Sequence, residues 1–356
     1  MRIVYVVGTR PNFVKTAPVI GALRERLPEG RHALVHTGQH YDRLMSEVFL
    51  EELGVPEPDY MLEVGSGSHA EQAARVMERL EPVLAEERPD LAIVPGDVNS
   101  TMAAALTAAK MRIPVAHIES GLRSFDRTMP EELNRVLADH VSDHLFIHSP
   151  EASDNLHAEG IPADRIHLVG NTMIDTLVAL EGRFRAAGAA ARLGLDPGGF
   201  VLVTLHRPAL VDGPLLPKTI SRLAALAREM PVVFPVHPRT RSMMESVESE
   251  HPGLLLSEPL GYLDFLSLLA DAGAVLTDSG GIQEETTYLG IPCFTLRDNT
   301  ERPITISAGT NTLLGLDPAA IDQIPTALSQ RPAEKPEPPP LWDGHASQRI
   351  ADVLAG

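Results

Sequence analysis

Three acidic residues in the first half of the sequence have the types and spacing needed for proton transfer. Asp97 follows an apolar run at residues 91–95, and Glu119 follows another at residues 115–118. Glu131 lies a short way downstream. If both runs are strands of one parallel sheet, their carboxyl ends meet at one edge, where open α/β sheets bind ligands. Carboxylates brought together raise one another's pKa, which suits acid–base chemistry near neutral pH.

Each of these carboxylates also has a purely structural interpretation. Asp97 could cap the helix that follows it, but Asn99 and Ser100 are equally good caps, which leaves Asp97 available for chemistry. Glu131 lies in the first turn of a predicted helix, where acidic side chains compensate the helix dipole. Glu119 is harder to explain in this way, because it stands at the carboxyl end of a predicted strand, close to a glycine.

The second half contains a motif typical of a phosphate site, Ser279-Gly280-Gly281, between an apolar strand and a helix. The glycines allow backbone N–H groups at the helix N-terminus to approach a phosphate closely. Glu285 lies one helical turn beyond Gly281 and can accept hydrogen bonds from ribose hydroxyls. Phosphate and sugar diol together indicate a nucleotide. The alternative is a tight connection in which Glu284 and Glu285 only compensate the helix dipole.

Cationic and imidazole side chains follow other predicted strands. Arg10 and Lys15 come after the first apolar run, in a turn and the helix that it opens. His206 and His237 each end a later run, with an arginine close by. Two histidines in equivalent positions indicate a function more strongly than one does. Because no third ligand appears at metal-site spacing, we expect no metal here.

The order of apolar and helical segments predicts the fold class. Short continuous apolar runs, typical of strands buried in parallel sheets, alternate with helical segments. A stretch rich in Ala, Arg and Gly, from about residue 181 to 199, separates two such series. We predict two Rossmann-like, doubly wound parallel-sheet domains facing each other across a cleft, residues 1–182 and 183–342. A C-terminal helix, residues 343–356, is predicted to pack back on the first domain.

Composition limits the class of partner. The 356 residues include 48 acidic and 30 basic side chains, for a net charge of −18. We therefore expect neither a nucleic-acid nor a membrane partner, since both favour a basic surface. The single cysteine, Cys293, excludes an internal disulfide and a cysteine-based zinc site. The first apolar run is too short for a signal peptide and no run reaches the length of a membrane span, so we expect a cytoplasmic location.

The motifs together resemble those of the non-hydrolysing UDP-N-acetylglucosamine 2-epimerases, in the same order and over nearly the whole chain. They are Gly8-Thr9-Arg10-Pro11, Gly96-Asp97, Glu119-Ser120-Gly121-Leu122-Arg123, Pro130-Glu131-Glu132, His206-Arg207, Asp278 to Glu285 and Thr300-Glu301-Arg302-Pro303. The resemblance implies the GT-B fold of two Rossmann-like domains and a homodimer. It also implies interconversion of UDP-GlcNAc and UDP-ManNAc without an added cofactor, by anti elimination of UDP to a 2-acetamidoglucal and re-addition of UDP.

The resemblance assigns roles to the residues described above. The acid–base and charge-stabilising group is matched by Asp97, Glu119, Glu131 and His206. The UDP-binding set is matched by Arg10, Lys15, His237, Ser279, Gly280, Gly281, Glu285 and Arg302, with Glu285 on the ribose. The uracil pocket is matched by Phe265 and by the backbone at Leu260, although Phe265 could equally belong to the core.

The sequence also departs from the family pattern. Pro208, Ala209 and Leu210 stand where many members have an acid and an amide after His-Arg. Many bacterial members bind a second UDP-GlcNAc as an allosteric activator; Gln39 and His40 of that site are retained here, but other parts are replaced. We expect regulation by substrate to be altered or absent.

Other functions fit parts of the same pattern. A hydrolysing relative would release free ManNAc with UDP, an epimerase could act on a UDP-diacetamido-uronic acid, and a GT-B glycosyltransferase would need an acceptor. A nucleotide-sugar-binding module without turnover is the alternative from a different class. The presence of all three carboxylates favours an enzyme.

Overall fold

The computed structural model describes residues 1–38, 49–206, 210, 213–236, 251–330 and 335–356. It divides into two compact units. The first unit comprises residues 1–179 and 340–356, and the second comprises residues 180–339. Within these described ranges, each unit contains one sheet, of seven strands in the first unit and six in the second, and the strand pairs are all parallel. This confirms the predicted fold class of two parallel-sheet α/β domains.

The sheet of the first unit has seven strands in the order β3-β2-β1-β4-β5-β6-β7. Their bounds are β1 Arg2–Val7, β2 Arg31–His36, β3 Tyr60–Met61, β4 Leu91–Pro95, β5 Val115–Ile118, β6 His144–Ile147 and β7 Ile166–Leu168. The helices that connect them are α1 Arg10–Arg26, α2 His69–Glu87, α3 Asn99–Lys110, α4 Pro130–Val141, α5 Pro150–Ala158 and α6 Thr172–Ala187. The division between the two units falls within α6.

The sheet of the second unit has six strands in the order β10-β9-β8-β11-β12-β13. Their bounds are β8 Val201–Thr204, β9 Val232–Pro235, β10 Leu254–Ser257, β11 Ala274–Thr277, β12 Cys293–Thr295 and β13 Asn311–Leu313. The remaining helices are α7 Ala189–Arg192, α8 Leu216–Leu226, α9 Tyr262–Asp271, α10 Gly280–Leu289, α11 Ile304–Ser307, α12 Ile324–Ser329 and α13 Ala346–Ala355. Across the described ranges, no helix combines the length and the apolar character that a bilayer crossing requires.

The strand register of the first sheet decides which side chains meet. All five residues of β4 and all four of β5 are buried, as expected for strands covered by helices on both faces. Val94 lies beside His117 and Pro95 beside Ile118. The loops that carry Asp97 and Glu119 therefore leave the sheet as neighbours at its carboxyl edge.

The C-terminal segment packs on the first unit, as predicted. The indole Nε1 of Trp342 donates to the carbonyl oxygen of His148 at 2.9 Å. Asp175 of α6 accepts from the backbone N–H groups of Ala346 and Ser347 at 3.0 and 2.6 Å, at the N-terminus of α13. Two satisfied helix N–H groups and one buried indole fix this last helix in place.

We expect Trp342→Ala to lower the free energy of unfolding of the first unit by about 3–5 kcal/mol, because it empties a fully buried site. Urea denaturation followed by circular dichroism measures the change. Val353→Ala, on the more exposed face of α13, is the matched control. Equal midpoints for the two variants would show that the C-terminal segment does not stabilise the unit.

Candidate active site

Asn12 joins the loops that follow β1 and β4. Its Oδ1 accepts from the backbone N–H groups of Gly8 and Thr9, both at 3.1 Å. Its Nδ2 donates to the carbonyl oxygen of Pro95, also at 3.1 Å. One buried amide therefore sets the spacing between the turn that carries Arg10 and the turn that carries Asp97. The side chain of Arg10 is exposed, with its guanidinium 6.0 Å from the ring centroid of Phe49.

Lys15 and Glu119 form a buried ion pair at the same edge of the sheet. The ammonium contacts the Glu119 carboxylate directly, and both side chains are less than a tenth exposed. The backbone of Gly96 has φ of +66°, a conformation that favours glycine. A Cβ atom added at this position would lie 3.1 Å from the Lys15 Nζ. The residue before Asp97 must therefore be small if Lys15 is to reach Glu119.

Glu119 itself has a left-handed backbone, with φ of +66°. Such a conformation costs about 1–3 kcal/mol for a residue other than glycine and persists only where its surroundings impose it. Ser120 donates its N–H to the carbonyl oxygen of Phe146 at 3.1 Å, and the Asn155 amide donates to the carbonyl oxygen of Gly121 at 2.9 Å. These bonds hold the turn that presents Glu119.

Asp97 is held by a guanidinium on α4. Arg135 donates to Asp97 Oδ2 at 2.5 Å and to Glu132 Oε2 at 2.8 Å. The amide of Asn134 donates to the backbone carbonyl of Asp97 at 2.9 Å. Of the two acids in the Pro130-Glu131-Glu132 motif, the buried Glu132 is therefore the one that connects to Asp97, through Arg135. Glu131, which the sequence singled out, lies half-buried in the first turn of the same helix.

The prediction that Asn99 or Ser100 caps the next helix is wrong. Helix α3 begins at Asn99, and its N-cap is Val98, whose side chain makes no capping bond. Ser100 hydrogen-bonds Thr37 Oγ1 at 2.8 Å, and the Asn99 amide donates to Gln72 at 2.7 Å. Both side chains therefore bond residues distant in sequence.

In the second unit, Gly280 opens α10 beside a buried cluster of charges. A Cβ atom at Gly280 would contact Arg302 and lie 2.8 Å from Glu301 Oε1. The Arg302 guanidinium also pairs with Glu284 Oε1 at 2.9 Å and contacts Glu301. Ser279 is the N-cap residue of this helix. The structure thus brings the predicted phosphate-binding residues Ser279, Gly280 and Arg302 together at one helix N-terminus.

His206 lies two residues after the end of β8, next to Asp278, the first residue of the Asp278 to Glu285 motif, to which the sequence assigned no role. Its imidazole Nδ1 is 2.7 Å from Asp278 Oδ1, and its backbone N–H donates to Asp278 Oδ2 at 3.0 Å. The imidazole is exposed, whereas Asp278 is buried. Asp278 directly follows β11, and this position was the signal that could have identified it.

Glu285 is fully buried and accepts a hydrogen bond from the Tyr262 hydroxyl at 3.0 Å. Burial raises the pKa of the Glu285 carboxyl to about 8; the Tyr262 bond opposes that rise and the nearby Glu284 adds to it. Tyr262, at the start of α9, was missed as a site residue. Phe265, three residues later, and Leu260, before the helix, are both half-buried.

The raised pKa of Glu285 makes stability depend on pH. The unfolded carboxyl loses its proton near the ordinary value of 4.5, whereas the folded one keeps it to about pH 8. The unfolded state binds fewer protons in that window, so the free energy of unfolding falls as pH rises, by up to about 1.4 kcal/mol per pH unit.

We therefore expect Glu285→Gln to flatten the decline in stability of the second unit between pH 5 and pH 8. Urea denaturation at several pH values measures the slope. The exposed Glu229→Gln is the control and should retain the wild-type slope. Parallel slopes for Glu285→Gln and the wild type would show that Glu285 does not hold a proton in the folded protein.

Three of the residues singled out in the sequence, Gln39, His40 and His237, lie outside the described residues. A search of the described ranges finds no group of three or more His, Cys, Asp and Glu side chains arranged to hold a metal ion.

The chain is similar to known proteins over nearly its whole length. A family model described as UDP-N-acetylglucosamine 2-epimerase matches residues 23–355. A UDP-N-acetylglucosamine 2-epimerase of Methanococcus maripaludis is 39% identical over 99% of this chain and 97% of its own length. A UDP-2,3-diacetamido-2,3-dideoxy-D-glucuronate 2-epimerase of Pseudomonas aeruginosa is 42% identical over 100% and 99% of the two chains.

A solved structure shows the same likeness in three dimensions. The UDP-GlcNAc 2-epimerase of Methanocaldococcus jannaschii, in complex with UDP-GlcNAc and UDP, superposes with a TM-score of 0.88 at 38% identity, covering 99% of each chain. A match of this extent, in sequence and in fold, establishes the relationship. The chain belongs to the UDP-N-acetylglucosamine 2-epimerase family.

Proposed function

We propose that the protein is a non-hydrolysing epimerase that interconverts UDP-GlcNAc and UDP-ManNAc. The observation that carries this proposal is the buried Lys15–Glu119 ion pair at the carboxyl edge of the first sheet, next to the loop of Asp97. The Glu119 carboxylate of this pair can accept and return a proton, and the Lys15 ammonium can contact a phosphate. Family membership supplies the class of reaction.

The nucleotide is bound mainly by the second unit in this proposal. Backbone N–H groups at the N-terminus of α10 face the diphosphate, together with Arg302. Glu285 accepts hydrogen bonds from the ribose, and Phe265 with the backbone at Leu260 takes the uracil. The remaining UDP-binding residues are Arg10, Lys15, His237, Ser279, Gly280 and Gly281. The buried cluster around Arg302 supports this assignment, since it fixes the guanidinium before a ligand arrives.

The first step is elimination. A carboxylate takes the proton from C2 of the sugar while the C1–O bond to UDP breaks, and C1 and C2 become joined by a double bond. Proton removal must be coupled to departure of UDP, because no carbonyl group adjoins C2. The electron pair of the C1–O bond leaves with UDP, and cations stabilise the diphosphate as its negative charge grows.

The second step reverses the first on the other face of C2. A diphosphate oxygen of UDP attacks C1, and a carboxylic acid delivers a proton to C2 from the opposite side. The acid–base and charge-stabilising group comprises Asp97, Glu119, Glu131 and His206. Two contacts support separate roles for Asp97 and His206 within this group. Arg135 holds Asp97 in place, and Asp278 holds His206 in place.

A second candidate substrate is a UDP-2,3-diacetamido-uronic acid. The observation in its favour is the Pseudomonas aeruginosa relative named for that activity, at 42% identity. The same acidic and basic residues would serve, since elimination at C2 does not involve C3 or C6. The two substrates differ in charge at C6 and in the group at C3, so the choice depends on contacts to the sugar.

Incubation with each UDP-sugar, followed by proton and phosphorus NMR, tests the proposal. We expect UDP-GlcNAc to yield UDP-ManNAc with the diphosphate intact. Faster turnover of the diacetamido-uronic acid would assign the second substrate instead. Free ManNAc accumulating with UDP would show a hydrolysing enzyme. Binding of UDP without turnover of either sugar would leave a nucleotide-sugar-binding module.

We also propose a homodimer, located in the cytoplasm, as the sequence led us to expect. Helix α4 supports the dimer: Leu133 and Leu137 lie one turn apart and expose 41% and 52% of their surfaces. Adjacent exposed leucines are typical of protein–protein contacts. Analytical ultracentrifugation of the wild type and of Leu137→Lys tests the dimer, and cell fractionation tests the location.

A further inference from the structure

Four polar side chains lie close to the loops of Asp97 and Glu119 and have no role in the steps above. His117 of β5 and Asp139 of α4 are wholly buried. Arg123 is almost wholly buried, and Glu159, just after α5, is about three-quarters buried. Buried polar and charged groups require partners, so the contacts in this cluster show which parts of the fold it joins.

Both ring nitrogens of His117 are hydrogen-bonded. Its Nε2 lies 2.7 Å from the carbonyl oxygen of Gly96. A carbonyl oxygen has no hydrogen to give, so Nε2 must be the donor. Its Nδ1 lies 2.7 Å from Asp139 Oδ1.

Asp139 also contacts groups other than His117. Its Oδ2 is 2.7 Å from the Arg123 guanidinium and accepts the N–H of Gly121 at 3.1 Å. Burial by itself raises the pKa of Asp139, but its interactions with His117 and Arg123 outweigh burial and hold the pKa below its ordinary value. The Asp139 carboxyl thus links the His117 ring to the turn after Glu119.

We propose that His117 positions the Asp97 and Glu119 loops for the reaction, through hydrogen bonds at both of its ring nitrogens. This inference rests on the proposed function. The ring lies two residues before Glu119 and bonds Gly96, the residue before Asp97. Its partner Asp139 bonds Gly121, two residues after Glu119. One hydrogen-bonded pair thus fixes both loops.

The other contacts of the cluster hold Arg123 in place. Arg123 contacts Glu159 through both carboxylate oxygens at 2.6 Å. The exposed imidazole of His140, also on α4, lies 3.8 Å from Glu159. Loss of the His117 ring would take a donor from the Gly96 carbonyl and a partner from the Asp139 carboxyl, and both losses are costly in a buried site.

A positioning role is required because the Glu119 backbone is strained. Its left-handed φ of +66° persists only while its surroundings impose it. Without the His117–Asp139 pair, the turn at Glu119 can relax and move the carboxylate away from its productive position. Misplacement of this kind slows the chemical step more than it weakens binding of the nucleotide.

NMR of the ligand-free protein labelled with ¹⁵N-histidine tests the hydrogen bonds of His117. We expect its Nε2 to carry a proton that exchanges slowly with solvent, because that proton is donated to a buried carbonyl oxygen. An Nε2 without a proton, or an Nε2 proton that exchanges as fast as that of an exposed histidine, overturns the proposal. This readout is independent of which UDP-sugar is turned over, so it can fail separately from the proposed function.

Kinetics of His117→Gln test the positioning role. The glutamine amide nitrogen can still donate to Gly96, but the amide oxygen would then face the Asp139 carboxyl. We expect kcat to fall about 10- to 100-fold, while the Kd for UDP stays within about twofold. His144→Gln is the control and should match the wild type, because His144 pairs with Ala116 and therefore lies on the opposite face of the sheet from His117. An unchanged kcat, or a parallel loss of kcat and UDP binding, overturns the role. If His117→Gln does not fold, the NMR measurement on the wild type decides alone.

Discussion

The Glu119→Gln variant is expected to interconvert UDP-GlcNAc and UDP-ManNAc with a kcat about 10³-fold below that of the wild type. Glutamine keeps the size of the side chain but can neither accept the C2 proton nor return it, and removal of a general acid–base group costs 10²- to 10⁴-fold. Lys15 loses its ionic partner in this variant, so the ammonium remains available to a phosphate. We therefore expect the Kd for UDP to be unchanged or lower.

Initial rates followed by NMR, together with calorimetric titration of UDP, measure the two quantities. Glu63→Gln is a matched control, because Glu63 also has a left-handed backbone but is exposed and far along the chain from the predicted site. Its kcat should equal that of the wild type. A Glu119→Gln enzyme retaining more than a tenth of wild-type kcat would remove Glu119 from the acid–base group.

The second large effect is expected for Gly280→Ala, which should raise the Kd for UDP about 10- to 100-fold. The added methyl group would contact Arg302 and lie 2.8 Å from Glu301 Oε1, so the buried charge cluster must shift. Displacing a charged donor from a phosphate costs about 1.5–3 kcal/mol, and each 1.4 kcal/mol is tenfold in Kd. Calorimetric titration of UDP measures this change directly.

Gly182→Ala provides the comparison. Gly182 lies in helix α6, and a Cβ atom there would meet nothing within 4 Å. We expect wild-type affinity for UDP and a stability equal to or slightly above that of the wild type, because alanine is a better helix former than glycine. Equal affinities for Gly280→Ala and Gly182→Ala would exclude the N-terminus of α10 as the diphosphate site.

The parts of the fold that could be predicted from the sequence are those set by local pattern. Strands β4 and β5 begin and end at the predicted residues, because a continuous apolar run bounded by polar and glycine-containing turns is a strong local signal. Their parallel register then brings the loops of Asp97 and Glu119 side by side. The Ser279-Gly280-Gly281 turn was recognisable because it, too, follows a short apolar run closely in the sequence.

The parts that could not be predicted depend on partners distant in sequence. The prediction of the helix cap failed because Ser100 bonds Thr37, which directly follows β2. Glu132 and Arg135 are spaced to meet on one helix face, but nothing in that spacing shows that Arg135 also reaches Asp97. The Tyr262 bond to Glu285 likewise joins two helices and has no local signature.

The central claim is that a carboxylate of the first unit removes the C2 proton as UDP departs. NMR of UDP-GlcNAc incubated with the wild type and with Asp97→Asn in heavy water tests it most directly. We predict that the wild type incorporates solvent deuterium at C2 of both UDP-GlcNAc and UDP-ManNAc, and that Asp97→Asn does so at least 10²-fold more slowly. UDP-ManNAc that appears with its original hydrogen still at C2 would contradict the claim.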